Sequence, residues 1–114
     1  MTKNKIMNIA LIGYGKMGKE IEQIAISRGH SIVLKVDITN ASSYTVDELK
    51  KADVAIEFST PEAVISNIYK CFDANVPVVV GTTGWLDHLE QVVTNCSDKK
   101  QTLFYASNYS IGVN

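Results

Sequence analysis

The chain has 114 residues, 46% of them apolar and 20% charged, with a formal net charge of −1. That length suits one domain with its own core and is short for an enzyme that must hold both a cofactor and a substrate. The near-neutral balance leaves no basic surface for nucleic acid, and no apolar run approaches the ~20 residues of a membrane span.

The first residues, Met1-Thr-Lys-Asn-Lys5, are polar and lack the apolar stretch and cleavage site of a signal peptide, so the expected location is the cytoplasm. Ile6 to Ile12 is a near-continuous apolar run and predicts a strand buried on both faces. Met17 to Arg28 predicts a helix with Met17, Ile21, Ile24 and Ala25 on one face, stopped by Gly29-His30. Ser31 to Val36 is a second strand that ends at Asp37, and Thr39 to Tyr44 is a polar loop. Thr45-Val-Asp-Glu48 reads as a capping box opening a short helix to Lys51.

Asp53 to Phe58 is a third strand. Thr60 is expected to cap a helix with Pro61 at its first position, where a missing N–H is harmless, and that helix runs to about Ala74. Val76 to Val80 is a fourth, β-branched strand, followed by the loop Gly81-Thr-Thr-Gly84 and a helix from about Leu86 to Cys96. Thr102 to Tyr105 is a fifth strand, and Asn108 to Asn114 is an uncapped tail.

Strands alternating with helices predict an α/β fold: a Rossmann-type doubly wound parallel sheet of about five strands with helices on both faces. The expected order is 3-2-1-4-5, with the topological switch between the first and fourth strands. Ligands of such sheets bind outside the carboxyl ends of the strands. The candidates are therefore Gly13 to Gly18, Asp37, Ser59, Gly81 to Gly84 and Ala106 to Tyr109.

Gly13-Tyr14-Gly15-Lys16-Met17-Gly18 follows a buried strand and opens an amphipathic helix, the context in which a Gly-x-Gly-x-x-Gly pattern means dinucleotide binding. Gly13 permits the tight turn, Gly15 lets backbone approach a pyrophosphate, and Gly18 lets the helix pack close to the strand. The N–H groups at the helix start then face an anion. Asp37 lies at about the twenty-residue spacing at which a carboxylate accepts the adenosine ribose hydroxyls. It would repel a 2′-phosphate, and Ile38 follows where an arginine would attract one, so NADH is favoured over NADPH; Lys16 weighs the other way. Gly81, Thr82 and Thr83 offer hydroxyls and backbone N–H groups to the nicotinamide ribose or carboxamide.

Other residues carry plain readings. His30 and His88 are solvated, and neither has an acid at a spacing that makes a catalytic pair. Trp85 serves packing or a partner surface, and Lys99-Lys100 is a solvated loop. Cys71 and Cys96 show neither a Cys-x-x-Cys pair nor metal-like spacing and are expected as reduced, partly buried thiols.

Four stretches together resemble the 4-hydroxy-tetrahydrodipicolinate (dihydrodipicolinate) reductases of lysine and diaminopimelate biosynthesis. They are Ile12-Gly-Tyr-Gly-Lys-Met-Gly18, Glu57-Phe-Ser-Thr-Pro-Glu62, Val80-Gly-Thr-Thr-Gly84 and Tyr105-Ala-Ser-Asn-Tyr-Ser-Ile-Gly-Val-Asn114. The resemblance covers essentially the whole chain but only the N-terminal half of the family. It implies an oxidoreductase that reduces a cyclic dicarboxylate with NADH or NADPH. Gly13, Tyr14, Gly15, Lys16 and Met17 would then hold the pyrophosphate, and Asp37 the ribose. Gly81, Thr82 and Thr83 would approach the nicotinamide half, and Ala106, Ser107, Asn108 and Tyr109 would line the nicotinamide site.

It further implies a dinucleotide-binding domain over residues 1–107 and, over 108–114, the start of a hinge to a substrate domain. The family's catalytic histidine-rich stretch with its lysine, its Ser-Gly-Thr substrate motif and a returning C-terminal element would all lie beyond Asn114. The sequence is thus expected to be a piece of a longer chain, inactive alone and homo-oligomeric when whole. The departures are a glycine loop one residue shorter than the commoner form, Glu57 where aspartate is commoner, and Ile38 in place of an arginine. The first and third bear on cofactor preference. A stand-alone nucleotide-sensing module and the first half of another two-domain amino-acid dehydrogenase are the alternatives. The Gly-Thr-Thr-Gly and Asn-Tyr-Ser segments speak against the dehydrogenase, and the sequence beyond Asn114 separates the rest.

Overall fold

The computed structural model describes residues 6–105, so the readings made for Ala106 to Asn114 lie outside the described residues. Five parallel strands form one sheet: β1 (Asn8–Ile12), β2 (Ser31–Val36), β3 (Val54–Glu57), β4 (Val78–Val80) and β5 (Leu103–Tyr105). Four α-helices, α1 (Lys16–Ser27), α2 (Val46–Leu49), α3 (Val64–Ala74) and α4 (Leu89–Asp98), alternate with them, α4 being entered through a 3-10 turn at Leu86–His88. Among the described residues no helix is long and apolar enough to cross a membrane.

The sheet order is β2-β1-β3-β4-β5, not the expected 3-2-1-4-5. β3 crosses over β1 and pairs with its free side, so the chain reverses direction between β1 and β3. Polarity explains the choice. Val54-Ala-Ile56 is apolar on both faces and suits a strand with a neighbour on each flank, whereas Ser31, Val33 and Lys35 of β2 are exposed and suit an edge.

The helices do lie on both faces, but unequally. α1 packs with Ala25 and Ile21 against Ile9 and Leu11, while the larger core on the other face joins Ala10 and Ile12 to Leu49, Ile68, Phe72, Val80 and Val92. In α1 the buried residues are Gly18 and Ala25, and Met17 and Ile24 are 50% and 56% exposed, contrary to the expected face. Small residues at positions 18 and 25 let the helix backbone lie close to the sheet, which turns the bulkier Met17 and Ile24 outward.

Local signals fared better where they rest on hydrogen bonds. The Thr45–Glu48 capping box forms in full. α3, however, starts at Val64: Pro61–Ala63 make a turn whose Ala63 and Val64 N–H groups donate to the Thr60 carbonyl, and the Thr60 side chain does not cap. Asn75, left-handed at φ 62°, closes α3.

The registers align Val36, Ile12, Glu57, Val80 and Tyr105 in one row across the sheet. Every loop that leaves this row, at Gly13, Asp37, Phe58 and Gly81, therefore opens on the same edge.

Candidate functional site

A cleft of about 610 Å³ lies along that edge, lined by Ile12 to Gly15, Val36 to Ile38, Ala41, Phe58 to Thr60, Ala63 and Asn67. It sits where β2 and β3 flank β1, at the point where the chain reverses, and adjacent loops there part to opposite sides of the sheet.

The three glycines of the loop differ in what demands them. Gly13 has φ +104°, and a Cβ on it would stand 1.8 Å from the Phe58 carbonyl oxygen. A Cβ on Gly18 would stand 2.4 Å from the Gly13 carbonyl oxygen. Both are required by the protein's own packing. Gly15 is different: its φ is −96°, and a Cβ there would meet nothing within 4 Å. No neighbouring atom calls for glycine at that position, and the residue lines the cleft.

Gly15 is also the residue before the first turn of α1. No side chain caps that turn and it holds no acidic residue, so the N–H groups of its first residues face out with the positive end of the helix dipole. Lys16 and Met17 are exposed beside them. A bound anion would complete this arrangement.

Tyr14 lines the cleft but turns its hydroxyl away, donating to Glu22 of α1, which pairs with Lys35 of β2 at 3.1 Å. The Lys35 ammonium lies 5.0 Å from the Tyr14 ring centroid. The Tyr14 hydroxyl, then Lys35, holds the Glu22 carboxyl below its ordinary range. Glu22 in return pushes both Tyr14 and Lys35 up. This brace ties the glycine loop to β2, the strand that carries Asp37.

Asp37 stands at the cleft with its Oδ1 accepting from the Thr39 N–H at 2.8 Å and the Thr39 hydroxyl at 2.5 Å. These two bonds, the hydroxyl first, lower its pKa. Its own N–H donates to Asn40 Oδ1 at 2.8 Å. Among the described residues Oδ2 has no hydrogen-bond partner, so one carboxylate oxygen remains for a ligand hydroxyl. Ile38, 95% exposed, and Ala41 form an apolar flank beside it.

At the β3–β4 end the loop residues are engaged with one another. Gly81 is glycine because a Cβ would strike the Phe58 ring, 1.8 Å from its Cε1. The Thr82 hydroxyl does not face outward: it donates to Glu57 Oε1 at 2.5 Å and accepts from the Ser59 N–H at 2.7 Å. Thr83 is exposed, and Gly81, Thr82 and Thr83 are not among the residues that line the cleft.

Sequence reasoning missed the polar cluster around Glu57. Glu57 is fully buried and also accepts from the Ser59 hydroxyl and, at 2.9 Å, from Asn67 Nδ2, while Asn67 Oδ1 accepts from the buried Tyr44 hydroxyl at 2.5 Å. The signal was present: a glutamate ends an apolar strand, and Asn67 interrupts the apolar stripe of Val64, Ile68 and Cys71.

Other side chains settle simply. His30 is not merely solvated, since its Nδ1 accepts from the Met7 N–H at 3.0 Å and closes the start of β1. Trp85 is a packing residue, buried edge-on to Tyr105 with its indole N–H donating to the Thr82 carbonyl at 2.9 Å. Lys99 pairs with Asp73 at 3.0 Å, joining the end of α4 to α3. Cys71 and Cys96 are free thiols, and burial pushes Cys71 up to about 12.

The family described as "Dihydrodipicolinate reductase, N-terminus" matches residues 7–109. Proteins named 4-hydroxy-tetrahydrodipicolinate reductase are similar to the chain. That of Christiangramia forsetii is 46% identical over 108 residues, covering 95% of this chain and 44% of the relative. Those of Staphylococcus epidermidis and Staphylococcus aureus are 39% and 34% identical over 113 residues, covering 94% of this chain and 46% of each relative. The chain thus spans less than half the length of the curated relatives it matches. It belongs to the dihydrodipicolinate reductase family and matches its N-terminal domain.

Proposed function

We propose that this chain is the NAD(P)H-binding domain of a reductase acting on 4-hydroxy-tetrahydrodipicolinate or its cyclic dehydration product. The observation that carries the reading is Gly15, a glycine that no protein atom requires, placed at an uncapped helix start and under open space. The backbone from Gly13 to Met17 holds the pyrophosphate, with Lys16 beside it as a mobile countercharge. Asp37 accepts from the adenosine ribose through Oδ2, and Ile38 and Ala41 shelter the base side.

Gly81, Thr82, Thr83 and, outside the described residues, Ala106 to Tyr109 border the nicotinamide half. The bound dinucleotide supplies a hydride from its nicotinamide ring. The chain's own part is to hold that ring in one orientation and keep water from it. The groups that bind and protonate the substrate belong to the substrate domain that follows a hinge from residue 108 in the longer protein, which we take to be homo-oligomeric and cytoplasmic. NADH is favoured over NADPH, because Asp37 presents its charge to a 2′-phosphate and Ile38 offers no donor.

Calorimetric titration of NADH into the chain, with a reductase assay in parallel, tests this. Saturable binding without turnover is expected. No binding, or turnover by this domain alone, contradicts it.

A further inference from the structure

The polar cluster around Glu57, which borders the cleft through Ser59 and Asn67, has a directed pattern of donors. Glu57 Oε1 receives the Thr82 hydroxyl, and Oε2 receives the Ser59 hydroxyl and the Asn67 amide. Thr82 accepts from the Ser59 N–H and gives its own hydrogen to Glu57. Asn67 is oriented by the Tyr44 hydroxyl, which donates to Oδ1 and leaves only Nδ2 for Glu57. Donors thus arrive at Glu57 from both sides, and a carboxylate is the side chain that accepts on both oxygens. The polar atoms buried here are all satisfied within the protein.

We infer that Glu57 is a positioning residue that fixes the loop after β4 against the loop after β3, and so sets the nicotinamide-side wall of the site. This rests on the cofactor reading above. Ser59 and Thr82 belong to the two loops, and their mutual bond and their shared acceptor make one unit of them. Phe58, held over Gly81, is carried on the same unit. The adenosine side, at Gly13 to Gly15 and Asp37, makes no hydrogen bond to Glu57.

Substitution by glutamine gives a directional outcome. Its amide oxygen stays on the side with two donors, Ser59 and Asn67, and its NH2 group meets the Thr82 hydroxyl. The Thr82 hydrogen then loses its carboxylate acceptor, and the tie between the two loops is weakened.

The experiment compares affinities for NADH and for ADP-ribose, which lacks the nicotinamide, in the 114-residue chain. Glu57→Gln and Thr82→Val are each expected to weaken NADH about fivefold or more and to leave ADP-ribose within about twofold. Thr82→Ser, which keeps the hydroxyl, restores NADH affinity, and Glu57→Gln with Thr82→Val together loses no more than the worse single variant, because both remove one interaction. A general structural weakening would lower both affinities alike. Equal loss of both ligands, unchanged NADH affinity, or additive losses in the double variant overturn the inference. If Glu57→Gln does not fold, the Thr82→Val and Thr82→Ser pair decides by the same criterion. A parent chain that binds neither ligand overturns the cofactor reading and this inference with it. A parent that binds both, with equal weakening in the variants, overturns this inference alone.

Discussion

On the β1–β2 side of the cleft, Tyr14, Glu22 and Lys35 make their contacts near the surface, and the groups offered to a ligand are backbone N–H groups and one free carboxylate oxygen. On the β3–β4 side, Glu57, Thr82 and Asn67 are buried, and their polar atoms are turned toward one another. Burial decides what each side contributes. Exposed charges are screened and exchange with water, so the first side can bend to a ligand at little loss. Buried donors without acceptors are expensive, so the second side holds one arrangement. One cleft is therefore a compliant anion site beside a stiff wall.

The sharpest way to break this contrast is Glu57→Leu. It leaves the Thr82 and Ser59 hydroxyls and the Asn67 amide without their acceptor, and a loss of about 3 kcal/mol or more is expected in urea unfolding. Glu22→Leu removes a carboxylate with two partners on the other side, Tyr14 and Lys35, and its effect on unfolding should be much smaller. Comparable losses for the two would erase the distinction.

Next in size is the pair of glycines. Gly15→Val should keep the fold, because a Cβ there meets nothing within 4 Å, and should weaken NADH at least about tenfold, roughly 1.4 kcal/mol. Gly13→Ala should instead lower thermal stability, since its Cβ would overlap the Phe58 carbonyl oxygen. Unchanged NADH affinity in folded Gly15→Val would remove the phosphate role from the loop.

Much of this was legible in the sequence, and the misses have physical causes. The places of the glycine loop and Asp37 at strand ends, and the capping box, are local patterns, readable from spacing alone. The strand order was not, because it depends on which strand tolerates an edge, a comparison between the exposed Lys35 of β2 and the apolar Val54-Ala-Ile of β3. The α1 face was legible for Ile21 and Ala25 but not for Met17 and Ile24, because small Gly18 and Ala25 set how close the helix lies to the sheet. The engagement of the Thr82 hydroxyl was not legible, because no spacing reveals that Glu57, on another strand, accepts its hydrogen.

Cofactor choice should shift by less. Asp37→Ser with Ile38→Arg removes like charge and adds a planar donor, and should move the ratio of NADH to NADPH dissociation constants toward NADPH by about fivefold, more at low salt. A parent that already prefers NADPH would transfer that role from Asp37 to Lys16.

The smallest expected effect is that of pH. Glu22 and Asp37 have lowered pKa values in the fold, so what they contribute is present above the ordinary carboxylate range and lost as pH falls through their depressed values. Tyr14 and Lys35 are raised, so theirs is present below about pH 10 and lost as pH rises through the raised values. NADH affinity between about pH 5 and pH 9 should be nearly flat as far as these groups are concerned. A steep change within that window would mean that another group governs the site.

The central claim is that the open space over Gly15 is where the cofactor's pyrophosphate lies. Amide chemical shifts of the chain, followed by NMR during titration with NADH, test it most directly. The account predicts saturating shifts centred on Gly13 to Gly18 and on Asp37 to Thr39. Saturable NADH binding that leaves the Gly15, Lys16 and Met17 amides unmoved would contradict it.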